Sequence, residues 1–300
     1  MQGMDVIGMI FAAALLGAAT PSIAEQAGPH VLVAGPTVAR AIVYGPEPRQ
    51  GLELFTRTGA GKAPLIVYLH GGGWSAGSPK DGSKDAQADH WTSLGYAYAT
   101  VAYRFVPVVD AEDQLRDVAK AIAMLRQEPG VDGRRIILMG HSSGGTMAAQ
   151  LGTDPRWLAQ AKVPFDAVKA VVLLDPSVLD LPPVMAVKGD PTVDRYFRPA
   201  FGDDPARQSA LSPVKQTEAP NAPAWLILAD ANNGFARAQG GDLAAGLLAA
   251  GAAEAKVVPI AGTTHMRLNN EIGAPDDKAT AEIDVFLARA LPEMQKARRR

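Results

Sequence analysis

Two glycine-rich stretches hold residues that could make and break an acyl bond. One is Gly140-His141-Ser142-Ser143-Gly144-Gly145. It follows the apolar run 136–139, which reads as a buried strand, and opens onto residues 146–151, which suit a helix. A strand turning sharply into a helix through G-x-S-x-G is a nucleophile elbow. Gly140 and Gly144 leave room for a strained backbone at Ser142 and for close strand-to-helix packing, so the Ser142 hydroxyl stands exposed at the sheet's edge. The helix start then turns amides, that of Ser143 among them, toward developing negative charge. The other stretch is His70-Gly71-Gly72-Gly73-Trp74, fed by the strand-like run 65–69. With no side chains in the way, backbone amides at Gly71 and Gly72 can approach an oxyanion, the preorganised donor pair that acyl transfer needs. Neither G-x-G-x-x-G nor G-x-x-x-x-G-K-[ST] occurs at either place, which counts against a phosphate cradle.

A serine nucleophile needs a base, and an elbow takes it from a loop late in the chain. His265, in Gly262-Thr263-Thr264-His265 after the last strand-like run, is so placed. The other histidines fit less well. His30 lies near the leader, His90 falls within a helix, His141 flanks the serine, and His70 belongs to the glycine loop, where a structural hydrogen bond suits it better.

The elements that must hold these residues alternate along the chain. Residues 38–44 and 52–55 read as an antiparallel edge pair joined by a Gly/Pro turn. A polar loop (75–83) and a helix ending at Gly95 lead to an aromatic, β-branched strand at 96–103. Leu115, Val118, Ile122 and Leu125 recur at helical spacing over 111–128, with Glu112 and Asp113 at the start and Pro129-Gly130 as the stop. The serine strand (135–139), a helix ending near Gly152, and a strand at 170–174 closed by Asp175-Pro176 follow. Between 176 and 223 the periodicity fails. A strand at 224–229, a helix at 242–250, a strand at 256–260 and a closing helix at 277–291 complete the chain. Strand alternating with helix predicts an α/β fold with a mostly parallel sheet covered on both faces.

In order and content these motifs, together with Tyr103-Arg104-Phe105-Val106-Pro107 and the acidic helix start after it, resemble the α/β-hydrolase superfamily. The likeness is to its serine esterases and lipases related to hormone-sensitive lipase, and to feruloyl-esterase-like and formamidase-like enzymes. It runs from about Leu65 to the last helix. It implies the α/β-hydrolase fold in one domain over 25–300, with a cap insertion at about 176–223 that shapes the acyl pocket. Tyr196, Phe197 and Phe201 could line that pocket or pin the cap to the body. It further implies a serine esterase forming an acyl-enzyme, with Ser142 as nucleophile, His265 as base, and the amides of Gly71, Gly72 and Ser143 as oxyanion hole. No cofactor and no metal are implied.

The triad acid departs from the family's pattern. Its usual position, a few residues beyond the strand before last, falls on Asn232 or Asn233. An amide can orient an imidazole but cannot stabilise imidazolium by charge. Asp175, ending the preceding strand as in pancreatic lipase and the platelet-activating-factor acetylhydrolases, is the preferred acid; Asp230 is the alternative, and an Asn-based or incomplete triad the remainder. Each Asp could equally be a turn or strand-end cap. The rival functions follow: an amide or formamide hydrolase on the same scaffold, or a hydrolase-fold binding protein whose triad is impaired.

Composition bounds the rest. Of 300 residues, 47% are hydrophobic and 20% charged, which suits an ordinary globular chain with ample core. A formal net charge of −2 gives no steering toward nucleic acid or acidic lipid, leaving a small-molecule ester as the expected partner and the oligomeric state open. There is no cysteine, so disulfides, zinc thiolates and a thiol nucleophile are all excluded. The apolar stretch 6–19 and Ser22-Ile23-Ala24 before Glu25 read as a signal peptide over residues 1–24, although Asp5 stands where a basic residue is usual. The expectation is an exported, periplasmic or secreted protein with no stable membrane span after cleavage.

Overall fold

The structure is a computed structural model and describes residues 35–81 and 84–292. The expected signal peptide at 1–24 and His30 lie outside the described residues.

Among the described residues eight strands form one sheet: β1 (Thr37–Val43), β2 (Gly51–Arg57), β3 (Ala63–Leu69), β4 (Ala97–Val101), β5 (Val131–His141), β6 (Val168–Leu174), β7 (Ala224–Asp230) and β8 (Glu254–Ile260). They lie in the order β1-β2-β4-β3-β5-β6-β7-β8. β1 and β2 pair antiparallel and join β4 antiparallel; every other pairing is parallel. This is the mostly parallel sheet expected from the alternation of elements. β3 is buried along its whole length, as a strand covered on both faces must be. Its side chains divide between two cores: Leu65, Val67 and Leu69 meet one, Ile66 and Tyr68 the other. β7 divides the same way, Trp225 and Ile227 against Leu226 and Leu228.

The first core lies under the helices Ala111–Leu125, Ser143–Thr153 and Gly234–Ala249; the second under Lys84–Ser93 and Lys278–Ala290. Leu115, Val118, Ile122 and Leu125, placed by their spacing on one face of the Ala111–Leu125 helix, are all fully buried. Each such side chain contributes about 1.5–3 kcal/mol. Asp110 caps that helix by accepting from the Asp113 amide.

Three expectations need correction. The helix placed at 242–250 begins at Gly234, because Asn233 caps it and because Gly240, one of the glycines that blur its helical pattern, packs its bare Cα toward Ile227 and Val257. Residues 176–223, where no regular structure was legible, hold Leu181–Met185, the π-helical turn Val193–Phe197, Arg198–Phe201 and Pro205–Ala210, each too short to display a period. Finally, two short helices, Pro155–Gln160 and His265–Asn270, escaped the pattern for the same reason.

Candidate active site

Register brings the site together. At the carboxyl ends of the central strands His141 pairs with Leu174, and Leu174 with Leu228. Beyond the last pair the stitching continues: the Ser142 amide donates to the Leu174 carbonyl (3.0 Å) and the Asp175 amide to the Leu228 carbonyl (2.7 Å). Ser142 and Asp175 are therefore the first residues past two neighbouring strands, both at the sheet's edge.

The backbone at both is strained. Ser142 has φ 54° and Asp175 φ 44°, left-handed values rare for residues with a Cβ. Trp74, at the end of the glycine loop, has φ 60°. Such residues cost about 1–3 kcal/mol each and persist where their surroundings over-determine them. At the elbow the surroundings are close indeed. A Cβ on Gly140 would lie 2.2 Å from the Gly144 carbonyl oxygen, and one on Gly144 2.2 Å from that of Leu69. Strand, turn and helix touch through bare backbone.

The glycine loop is braced from below. Tyr103 donates its hydroxyl to the His70 carbonyl (2.7 Å) and stacks on the His70 ring at 4.4 Å. Arg49 donates to the carbonyls of Tyr103 and Gly77, each at 2.9 Å. The Trp74 carbonyl accepts from Gln114 Nε2 (2.8 Å) and from the Val106 amide (3.1 Å). Burial pushes the His70 imidazole down to about 4, so it is neutral near pH 7. Its Nδ1 lies 2.7 Å from the Gly71 carbonyl, which can only accept, so the proton is on Nδ1. With that carbonyl turned to His70, the trans peptide directs the Gly72 N–H the opposite way. A Cβ on Gly71 would stand 3.0 Å from the Ser142 Cβ, which puts this backbone directly against the serine.

His265 opens the short helix His265–Asn270, whose cap, Thr264, accepts from the Arg267 amide. Its Nδ1 donates to Asp175 Oδ2 at 2.7 Å, the tautomer in which a neutral imidazole carries its lone pair on Nε2. The imidazole is 43% exposed and its carboxylate partner fully buried. His141 lies beside it, ring centroids 4.5 Å apart, and its Nε2 donates to the His265 carbonyl at 2.9 Å. Burial, then the neighbouring His265, push the His141 imidazole down to about 4.

The other acid candidates are elsewhere. Asp230 is still within β7, paired with Ile260, and its Oδ1 accepts from the amide of Asn232 (2.9 Å) and from its side chain. Asn232 is exposed. Asn233 reaches Asp175 rather than the imidazole, its Nδ2 at 3.1 Å from each carboxylate oxygen. The premise of an impaired triad, an imidazole lacking a charged partner, does not hold in this geometry. The sequence offered Asn233, with Asn232, only as an amide standing at the family's usual acid position, and His141 only as a flank of the serine; the contacts that they make with Asp175 and with the His265 carbonyl were not foreseen.

Ser142, His141, His265, Gly71 and Gly72 border a cavity of about 530 Å³. Its far wall comes from residues 176–223: Tyr196 and Phe197 line it, and a Cβ on Gly73 would lie 2.5 Å from the Tyr196 ring. Phe201 does not line the cavity; it is fully buried against the Trp74 ring, centroids 4.9 Å apart. A half-buried serine, a partly exposed imidazole bonded to a buried carboxylate, and the bare backbone of Gly71 and Gly72 bordering one cavity are the parts that acyl transfer requires.

Comparison with known proteins agrees. Residues 66–268 match the family described as alpha/beta hydrolase fold. A probable isoprenylcysteine alpha-carbonyl methylesterase of Arabidopsis thaliana is 33% identical over 118 residues, 38% of this chain and 24% of that protein. A probable carboxylic ester hydrolase of Mycobacterium tuberculosis is 31% identical over 147 residues, 43% and 34% of the respective chains. The matches thus span only a quarter to a third of these relatives' lengths. Among solved structures, Thermogutta terrifontis esterase 2 with butyrate bound superimposes with a TM-score of 0.66 at 26% identity, covering 85% of this chain and 94% of that one. Esterase B of Lactobacillus Rhamnosis shares the fold with a TM-score of 0.68 at 18% identity over 87% of each chain. By sequence and by architecture, the chain belongs to the alpha/beta hydrolase fold family.

Proposed function

We propose that the chain is a serine hydrolase that cleaves carboxylic esters through an acyl-enzyme, with Ser142, His265 and Asp175 as its triad. The observation that carries this reading is the 2.7 Å bond from His265 Nδ1 to the buried Asp175, which fixes the tautomer that a general base beside Ser142 requires. Ser142 Oγ attacks the ester carbonyl carbon as its proton passes to His265 Nε2. The carbonyl π electrons move to oxygen, which the amides of Gly71, Gly72 and Ser143 receive. Collapse breaks the bond to the alkoxy oxygen, which leaves with the proton from Nε2. Water then repeats the sequence on the acyl-enzyme, releasing the acid and restoring Ser142. Residues 176–223 serve as the cap, with Tyr196 and Phe197 on the acyl side. The butyrate bound by the Thermogutta terrifontis esterase supports short acyl chains as first substrates to try.

Ser142→Ala is expected to abolish p-nitrophenyl butyrate hydrolysis and fluorophosphonate labelling while circular dichroism stays that of the parent. Activity within about tenfold of the parent would sink the assignment. Residues 1–24 are proposed as an export signal, supported by the apolar stretch 6–19 and the small residues before Glu25. Mass spectrometry of the exported protein should find an N-terminus near Glu25; an exported chain retaining Met1 would refute this.

A further inference from the structure

Asn233 uses the two ends of its amide for different tasks. Its Oδ1 accepts from the Ala236 amide at 3.1 Å, capping the helix Gly234–Ala249. An N–H can only donate, so this contact fixes the amide's orientation and turns the NH2 group toward Asp175. There Nδ2 is equidistant, 3.1 Å, from both carboxylate oxygens. Asp175 is fully buried, and among the described residues the side chains bonded to it are this amide and the His265 imidazole, with no lysine or arginine paired to it. A buried carboxylate with so few donors depends on each for its orientation as well as for its charge.

We propose that Asn233 is a positioning residue of the triad: its NH2 straddles the Asp175 carboxylate and holds it turned to His265, so that position 233 requires an amide. The inference rests on the reading of Asp175 as triad acid. Helix capping alone does not explain the residue, since Asp and Asn cap about equally well. What separates them is the second end of the side chain, a donor in Asn and an acceptor in Asp. With the acid carried on β6, a carboxylate at 233 would face another carboxylate across a hydrogen-bond distance. The titratable groups about this pair are His265, His141 at the end of β5, and Asp230 at the end of β7, the last already engaged by Asn232.

The test compares Asn233→Asp, Asp175→Asn and the double variant in p-nitrophenyl butyrate hydrolysis, with melting curves for each. Asn233→Asp keeps the cap but sets a second carboxylate against the buried Asp175, so it should melt below the parent near pH 8 while staying folded, with KM within about twofold and kcat down about tenfold or more. The deficit relative to the parent should shrink toward about pH 6, because a proton shared by two carboxylates restores a donor to the pair. In the Asp175→Asn background the same change should cost nothing, since the repulsion is gone. If Asp175→Asn collapses kcat while Asn233→Asp stays within about twofold of the parent at every pH, or costs the same in both backgrounds, the positioning role is wrong and the triad reading stands. An active Asp175→Asn would overturn both together.

Discussion

The ends of β6 and β7 carry nearly the same equipment and do different things. Each closes an apolar parallel strand with an aspartate, Asp175 or Asp230. Asp175 has left its strand at φ 44°, is fully buried and meets His265. Asp230 remains in its strand, half-buried, its carboxylate spent on the turn that follows. The backbone decides between them. Asp175 stands one residue past a strand adjacent to β5, where the serine emerges; Asp230 stands one strand further out. What an aspartate does at a strand end thus depends less on its neighbours in sequence than on which strand ends beside the nucleophile.

The comparison can be broken most decisively at Asp175. Asp175→Asn keeps the shape, loses the charge and lets the imidazole take the wrong tautomer, so kcat should fall by about four decades with little change in KM. Pre-steady-state and steady-state kinetics with p-nitrophenyl butyrate would measure it. A loss below about tenfold would mean that the buried contact with His265 is not used.

The other side of Asp175, where β5 ends in His141, offers a smaller effect of known sign. Folded, His141 takes its proton only near 4; unfolded, it would do so near 6.5. Between these values the unfolded chain binds more protons, so stability rises with pH and is lost as pH falls from about 6.5 toward 4. The full shift corresponds to about 3 kcal/mol. His141→Gln keeps a donor for the His265 carbonyl but cannot titrate, so its urea stability should vary less between pH 7 and about 4.5 than the parent's. Equal slopes would show that the buried ring is not the source. His70, lowered in the same way, titrates in both proteins and leaves a residual slope.

These two sites also mark where the sequence was legible. The elbow and the glycine loop could be read locally, because their chemistry needs bare backbone at fixed spacing: Gly140, Gly144 and Gly71 each stand where a Cβ would press on neighbouring atoms. The sheet was legible because strands as apolar as β3 and β7 leave no other reading. Asp175 was preferred over Asp230 as the partner of His265 only by its likeness to hydrolases that carry their acid after this strand, since the choice depends on register between β5, β6 and β7, which no single stretch encodes. His141 and Asn233 act through contacts 124 and 58 residues away in sequence. The wall of the cavity was hidden for a different reason. Between 181 and 210 the helices run four to six residues, too short for periodicity, and Phe201 looked like Tyr196 and Phe197 until packing turned it onto Trp74.

The smallest effect gives the sharpest contrast between the two strand ends. By position along the chain, Asn232 is a natural place to restore a carboxylate, and an account of the site as a weakened triad predicts that Asn232→Asp raises activity. The geometry argues otherwise. Asn232 is exposed, and its side chain turns to Asp230 Oδ1 at 3.3 Å, so a carboxylate there would face Asp230 and solvent rather than the imidazole. Its charge would be screened by water, and the like-charge contact with Asp230 should cost less than about 1 kcal/mol at this exposure. His265 already has a buried partner, so no vacancy exists for a second acid to fill. The expected outcome is therefore kcat within about threefold of the parent, and Asp230→Asn should be equally mild because it loosens only its own turn. Measured side by side with Asp175→Asn, the two variants ask whether charge at the end of β7 can reach the reaction. A gain of about tenfold or more from Asn232→Asp would mean that the loop after β7 moves in solution to meet His265, and would transfer the acid from the end of β6 to that loop.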